Sequence, residues 1–366
     1  MSQADTDNEI PDIDDPFPPR FTPRLFGLDS QATLFEKACK GDRLHHAWLL
    51  CGPKGSGKAS FAYHMSAALL AAKTPNDFAP ISMTGDNAEL RLLQGDAHPD
   101  FFVMKRRWQA KEEKFPQNIS IETLRAAQSG FNLSAARDGW RIGLIDAIDD
   151  IRPDVTNALL KMIEEPPNKT LFFIVCHNPG TVLDTIKSRC RKLQFNALSH
   201  DVLKQIILDK QPETAPTEAA AAAFLAEGNA ARGLQLAAHG GLGLYQDLIG
   251  LLGALPQIDI EAIHALAGRF GLRAQADSFD SFAGLFAGWL YRMVRCHQSG
   301  TAWQPVFEGE LAATQRLQMQ MALEPTIALW DKVGQDRREA DSLNLDRKQI
   351  VIDWMMAARN CFNSAV

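Results

Sequence analysis

Four short, nearly unbroken apolar runs mark the first half of the chain: HAWLLCG (46–52), DFFVMKR (100–106), WRIGLID (140–146) and TLFFIVCH (170–177). Runs of this length without polar alternation predict strands covered on both faces, as in a parallel sheet. Between them the period changes. Phe61, Met65, Ala68 and Leu69 share one helical face, and Val155, Leu159, Met162 and Ile163 form a stripe that Pro166 and Pro167 stop. Strand and helix in alternation predict an α/β fold, a parallel sheet with helices on both faces, over 25–197.

After RKLQF (191–195) the strand pattern ends. PTEAAAAAFLAEG predicts a helix opening near Thr217 and closing at Gly228, and GNAARGLQL predicts a second with Asn229 as its N-cap. Helical periodicity then continues to LNLDRKQIVIDWMMAARN. This divides the helical part into a small domain over 198–240 and a larger all-α domain over 241–366. Residues 1–24 are acidic and then proline-rich, with too little apolar surface to offset the entropy of ordering, so they are expected to form a disordered tail. Gly284 and Gly288 stand at G-x-x-x-G spacing. The apolar stretch around them is far shorter than the ~20 residues a bilayer requires, and Phe282, Leu285, Phe286, Trp289 and Met293 recur as in a buried helix.

Composition narrows the class. A chain of 366 residues with 46% hydrophobic and 22% charged residues reads as globular and multi-domain. A net charge of -6 supplies no global field for nucleic acid. Six scattered cysteines without a C-x-x-C pair argue against a disulfide framework or a zinc site, and fit a reducing cytosol. The acidic N-terminus has no secretory pattern, so a cytoplasmic location is expected.

The candidate chemistry begins where the first strand meets a helix. In GPKGSGKAS, Gly52, Gly55 and Gly57 permit the backbone turns that cradle phosphate, and Lys58 adds a positive charge. The position that supplies a magnesium-binding hydroxyl is Ala59, with Ser60 one place too late. Asp146 ends the third strand, where an aspartate assists Mg²⁺, but the next residue is Ala147, not a glutamate that could activate water. Nucleotide binding through this loop would therefore be weak and poor in metal. Asp149 and Asp150 read as solvated helix-start or turn residues, and His98 and His177 as packing or turn residues. Arg189, in a tight loop between a short helix and a strand, could reach a neighbouring subunit's phosphate. Arg232 falls in the first turn of its helix, where the dipole disfavours a cation, which suggests contact with a phosphate.

GPKGSGKAS, DAIDD, NALLKMIEEPP, CHNPGTVLDTIKSRCRKLQF and GNAARGLQL, in that order, resemble the clamp-loader branch of the AAA+ ATPases over about 25–240. The resemblance implies a P-loop AAA+ domain, a helical lid and a helical collar. It implies a subunit of a pentameric bacterial DNA polymerase III clamp loader, in which motor subunits use ATP to open a ring-shaped sliding clamp and place it on primed DNA. Ser188, Arg189 and Cys190 match the SRC motif, whose arginine completes the ATP site of the adjacent motor. Arg232 matches the second sensor, and Asn178 falls near the first. The implied partners are gamma/tau-like motor and delta-like subunits, with the clamp and primed DNA reached through the complex and no membrane involved. Family members often carry a four-cysteine zinc module; the corresponding stretch, 71–99, has no cysteine, so no zinc is expected. With Ala59 and Ala147 in its own site and Arg189 intact, the expected subunit does not hydrolyse ATP itself. It needs no cofactor, and any ATP or ADP at its loop is held weakly. An active motor of the same complex is the alternative, to be separated by steady ATP turnover of the isolated chain.

Overall fold

The computed structural model describes residues 17–41, 44–72, 74, 77–79, 88–106, 116, 118–132, 139–271 and 276–363. They form two compact units, one of the chain up to Val202 with Gly228–Ala231, the other of Leu203–Glu227 and Arg232–Val366.

The first unit runs α1 (Asp29–Lys40), β1 (Ala47–Cys51), α2 (Lys58–Ala71), α3 (Ala88–Gln94), β2 (Phe101–Lys105), α4 (Ile121–Asn132), β3 (Arg141–Asp146), α5 (Pro153–Glu164), β4 (Thr170–Cys176), α6 (Asp184–Lys187) and β5 (Arg191–Gln194). Its five strands pair in parallel in the order β2-β3-β4-β1-β5. Every residue of β1 and β4 is buried, which explains why those runs carry no polar alternation. Successive residues point to opposite faces. Trp48 and Leu50 join a core with Phe35, Phe61, Met65 and Phe173, while Ala47, Leu49 and Cys51 join another with Leu159, Ile163, Phe172 and Cys176. Phe35 centres the first core, its ring 5.0 Å from Trp48 and 5.3 Å from Phe173. The sheet and its two helical layers are thus the expected α/β fold.

Residues 1–16 of the expected tail lie outside the described residues. The rest of it is packed rather than free: Pro19–Phe21 form a 3₁₀ turn, Arg20 pairs with Asp96, and the Thr22 carbonyl oxygen lies 3.0 Å from His64 Nε2.

The helical part comprises α7 (His200–Lys210), α8 (Pro216–Leu225), α9 (Ala230–Ala238), α10 (Gly241–Ala254), α11 (Ile260–Gly268), α12 (Ala276–Ser299), α13 (Glu310–Gln320), α14 (Leu323–Ser342) and α15 (Arg347–Asn363). The stripe read from α12 is its core face, for Phe282, Phe286 and Trp289 are fully buried. Gly284 and Gly288 do not form a membrane seam. Arg232 donates to the Gly284 carbonyl oxygen at 2.9 Å and pairs with Glu227 at 3.4 Å, and a Cβ at Gly288 would press on both side chains of that pair. Among the described residues no helix is long and apolar enough to cross a membrane.

Candidate functional site

The loop Gly52–Gly57 leaves the C-terminal end of β1, an inner strand of the sheet, and parallel α/β folds place their binding crevices at that end of their strands. Strand pairing continues into it, with Gly52 N–H donating to the Cys176 carbonyl oxygen at 3.2 Å and Phe195 N–H to that of Cys51 at 2.7 Å. The chain passes so close to Phe195 that a Cβ on Gly52 would overlap its carbonyl group. Gly55, at φ +72°, is held by the start of α9: its carbonyl oxygen accepts from Ala230 N–H at 3.0 Å, and a Cβ here would overlap the side chain of Asn229, the residue before the helix. Gly57, also left-handed, begins α2.

Lys58 is 3% exposed, and its ammonium donates to the carbonyl oxygens of Gly52 at 2.7 Å and Pro53 at 2.5 Å. Burial pushes its pKa down to about 8, against the pull of Asp146, Cys176 and Asp149. Lys58 and Asp146 are therefore brought together as expected, but the lysine closes its own loop. Ala59 packs against the core, and the Ser60 hydroxyl is 2.9 Å from that of Thr22. Ala147 is buried in the same core. The donor set does not fit a magnesium nucleotide, since it has no hydroxyl at 59, no carboxylate at 147, and a lysine engaged by loop carbonyls. Among the described residues there is no group of three or more histidine, cysteine or acidic side chains able to hold a metal. Within the stretch of the family's zinc module, residues 73, 75–76 and 80–87 lie outside the described residues.

Asp149 departs from the expectation of a solvated turn residue. It sits in the 3₁₀ turn Ile148–Asp150, and its carboxylate accepts His177 N–H at 2.6 Å and Asn178 N–H at 2.8 Å. No residue spacing announces such a contact, because the donors are backbone groups remote in sequence. Asp150 pairs with Arg106. Burial, with the nearby Lys58 charge, pushes the His177 imidazole down to about 4, so it is neutral in the fold. His98 is a structural group, 2.8 Å from Glu89 and accepting the Asp100 N–H.

Asn178 leads the segment that ends in the SRC residues. Its carbonyl oxygen accepts from Thr181 N–H and hydroxyl, and α6 follows. Cys190 packs into the core, where burial pushes its thiol up to about 12, and the Ser188 hydroxyl donates to the Thr185 carbonyl oxygen. Arg189 keeps 40% of its side chain exposed. Its guanidinium donates to the Thr185 carbonyl oxygen at 2.9 Å and pairs with Glu164, at the end of α5, at 2.9 Å. These contacts engage two of the five N–H groups a guanidinium carries. Arg232, by contrast, finds its named partners in the helical unit, on Gly284 and Glu227.

A protein family described as DNA polymerase III, delta subunit, matches residues 27–199. The delta-prime subunit of DNA polymerase III from Pseudomonas aeruginosa is 32% identical over 145 residues, 40% of this chain and 41% of that protein. The delta-prime subunit from Bacillus subtilis is 27% identical over 183 residues, 48% of this chain and 50% of that one. The matched region thus spans two-fifths to half the length of these relatives. Among solved structures, a DNA polymerase III gamma subunit-related protein from Thermotoga maritima aligns over 91% of this chain and 99% of its own, at 18% identity and a TM-score of 0.40.

Proposed function

We propose that this chain, of the clamp-loader kind over residues 27–199, is a delta-prime-like subunit of a DNA polymerase III clamp loader that lends Arg189 to a neighbouring ATPase and does not hydrolyse ATP itself. The carrying observation is the contrast between two sites on one unit. The home loop has lost its hydroxyl and its base and is closed by Lys58, while the guanidinium of Arg189 is exposed and held in place. An arginine supplied from outside stabilises charge on a transferring phosphoryl group, and such groups contribute about 10³–10⁵ in rate.

In this reading the motor is a gamma/tau-like subunit and the other neighbour a delta-like one, working in the cytoplasm, with the clamp and primed DNA engaged through the assembly. Helices over 198–240 act as the lid, and those from 241 onward as the collar that joins the subunits. Arg232 keeps the place of the second sensor, yet its engagement by Gly284 and Glu227 makes it a brace of the helical unit.

ATPase of the complete loader, with and without Arg189→Ala, tests the reading. Loss of at least a hundredfold with assembly intact is expected; an unchanged rate would leave the chain a scaffold. Steady turnover by the isolated wild-type chain would make it a motor.

A further inference from the structure

The Arg189 side chain has four rotatable bonds and would sweep a wide volume if nothing held it. Side chains of this length carry about 2 kcal/mol of rotamer entropy, which a contact in trans would have to overcome at the moment of catalysis. Here the restraint is already present, at three points and on three elements. Glu164, the last residue of α5, takes one edge of the guanidinium. The Thr185 carbonyl oxygen, on α6, takes another. Further back, the Asp149 carboxylate clamps the two N–H groups with which the chain leaves β4, so α6 hangs from a fixed turn at one end and from β5 at the other.

We propose that Glu164 is a positioning residue for Arg189, presenting the guanidinium in the orientation used by the neighbouring site, and that Asp149 supports it by fixing the turn before α6. The inference rests on the in-trans role of Arg189 and adds the residues that aim it. Stability is a poor explanation for the Glu164 pair, because both side chains are about two-fifths exposed and such pairs contribute little to folding. Orientation is a better one. The pair still leaves 40% of the Arg189 side chain exposed, and Glu164 is the residue immediately before the bend that Glu165, Pro166 and Pro167 impose on the chain. That placement puts its carboxylate at a rigid helix end.

The test uses the complete loader with wild-type chain, Glu164→Ala, Glu164→Gln, Arg189→Ala and the double variant Glu164→Ala/Arg189→Ala. Glu164→Ala should lower kcat about fivefold, leave KM for ATP and subunit assembly unchanged, and leave the melting temperature of the free chain within a degree or two. Glu164→Gln, which keeps an acceptor in place, should recover part of the rate. In the Arg189→Ala background the Glu164 change should have no further effect, since the two act as one unit. Asp149→Asn, which cannot accept both N–H groups as strongly, should lower kcat in the same direction.

A rate for Glu164→Ala equal to or above wild type would overturn the proposal, the latter meaning that Glu164 competes with phosphate for the arginine. Additive losses in the double variant would overturn it as well. If Arg189→Ala itself has no effect, the parent reading fails, and that outcome is separate from the other two.

Discussion

At the scale of single residues, Lys58 and His177 are two cationic types under the same constraint, burial next to the loop. Lys58 keeps its proton because two carbonyl oxygens receive it and Asp146 and Asp149 lie near. His177 gives its proton up. The consequence for stability has a definite sign. Between about pH 6.5, where an unfolded histidine titrates, and pH 4, the unfolded chain binds a proton at His177 that the folded chain refuses. This contribution is fully present above 6.5 and is lost as pH falls toward 4. Thermal melting across that window should therefore fall less steeply for His177→Gln than for wild type, and an identical slope would show that His177 titrates normally in the fold. The glycine loop and Lys58 are legible because phosphate chemistry constrains their spacing, whereas Arg189 stands out only through the resemblance of residues 188–190 to the clamp-loader motif. Asp149 and Glu164 are not legible, since each acts through a partner far along the chain that no local pattern marks.

At the scale of elements, β1, β3 and β4 could be read because runs buried on both faces carry no polar alternation, whereas β5 is mostly exposed and the order of the strands is set by crossover geometry. Helix α4 is poorly marked in the sequence although Leu124, Ala127 and Phe131 make its buried stripe, because Ser129 and Gly130 interrupt the pattern. The G-x-x-x-G of α12 was read correctly as part of a buried helix, but its use was hidden. Small residues there make room for Arg232 from α9 and Glu227 from the turn after α8, both in the same unit. Gly288→Leu should therefore displace that pair and destabilise the unit by about 1–3 kcal/mol through overpacking, measured by denaturant unfolding. Arg232→Ala should cost about 1–2 kcal/mol through the lost charged hydrogen bond. If both changes are silent, the brace is not real.

At the scale of the whole molecule, the loop differs from a magnesium-nucleotide site by more than two side chains. Introducing Ala59→Thr and Ala147→Glu should give no turnover by the isolated chain, for two reasons. Lys58 remains committed to loop carbonyls, and position 147 is 2% exposed within an apolar core, where a carboxylate would be desolvated. The double variant should also melt lower than wild type. Measurable ATP hydrolysis by it would mean that the loop opens more easily than its hydrogen bonds suggest.

The position of β5 has a last consequence. It is an edge of the sheet, and an edge is ordinarily an invitation to pair with a stray segment of another chain. Here Arg191, Lys192 and Gln194 are exposed along it, Arg191 lying over the Trp48 ring, and Gln31 from α1 caps the Gln194 carbonyl oxygen at 3.0 Å. Like charge repels a second copy, and a filled acceptor offers it nothing to register on. The border of the sheet is thereby guarded against promiscuous annealing.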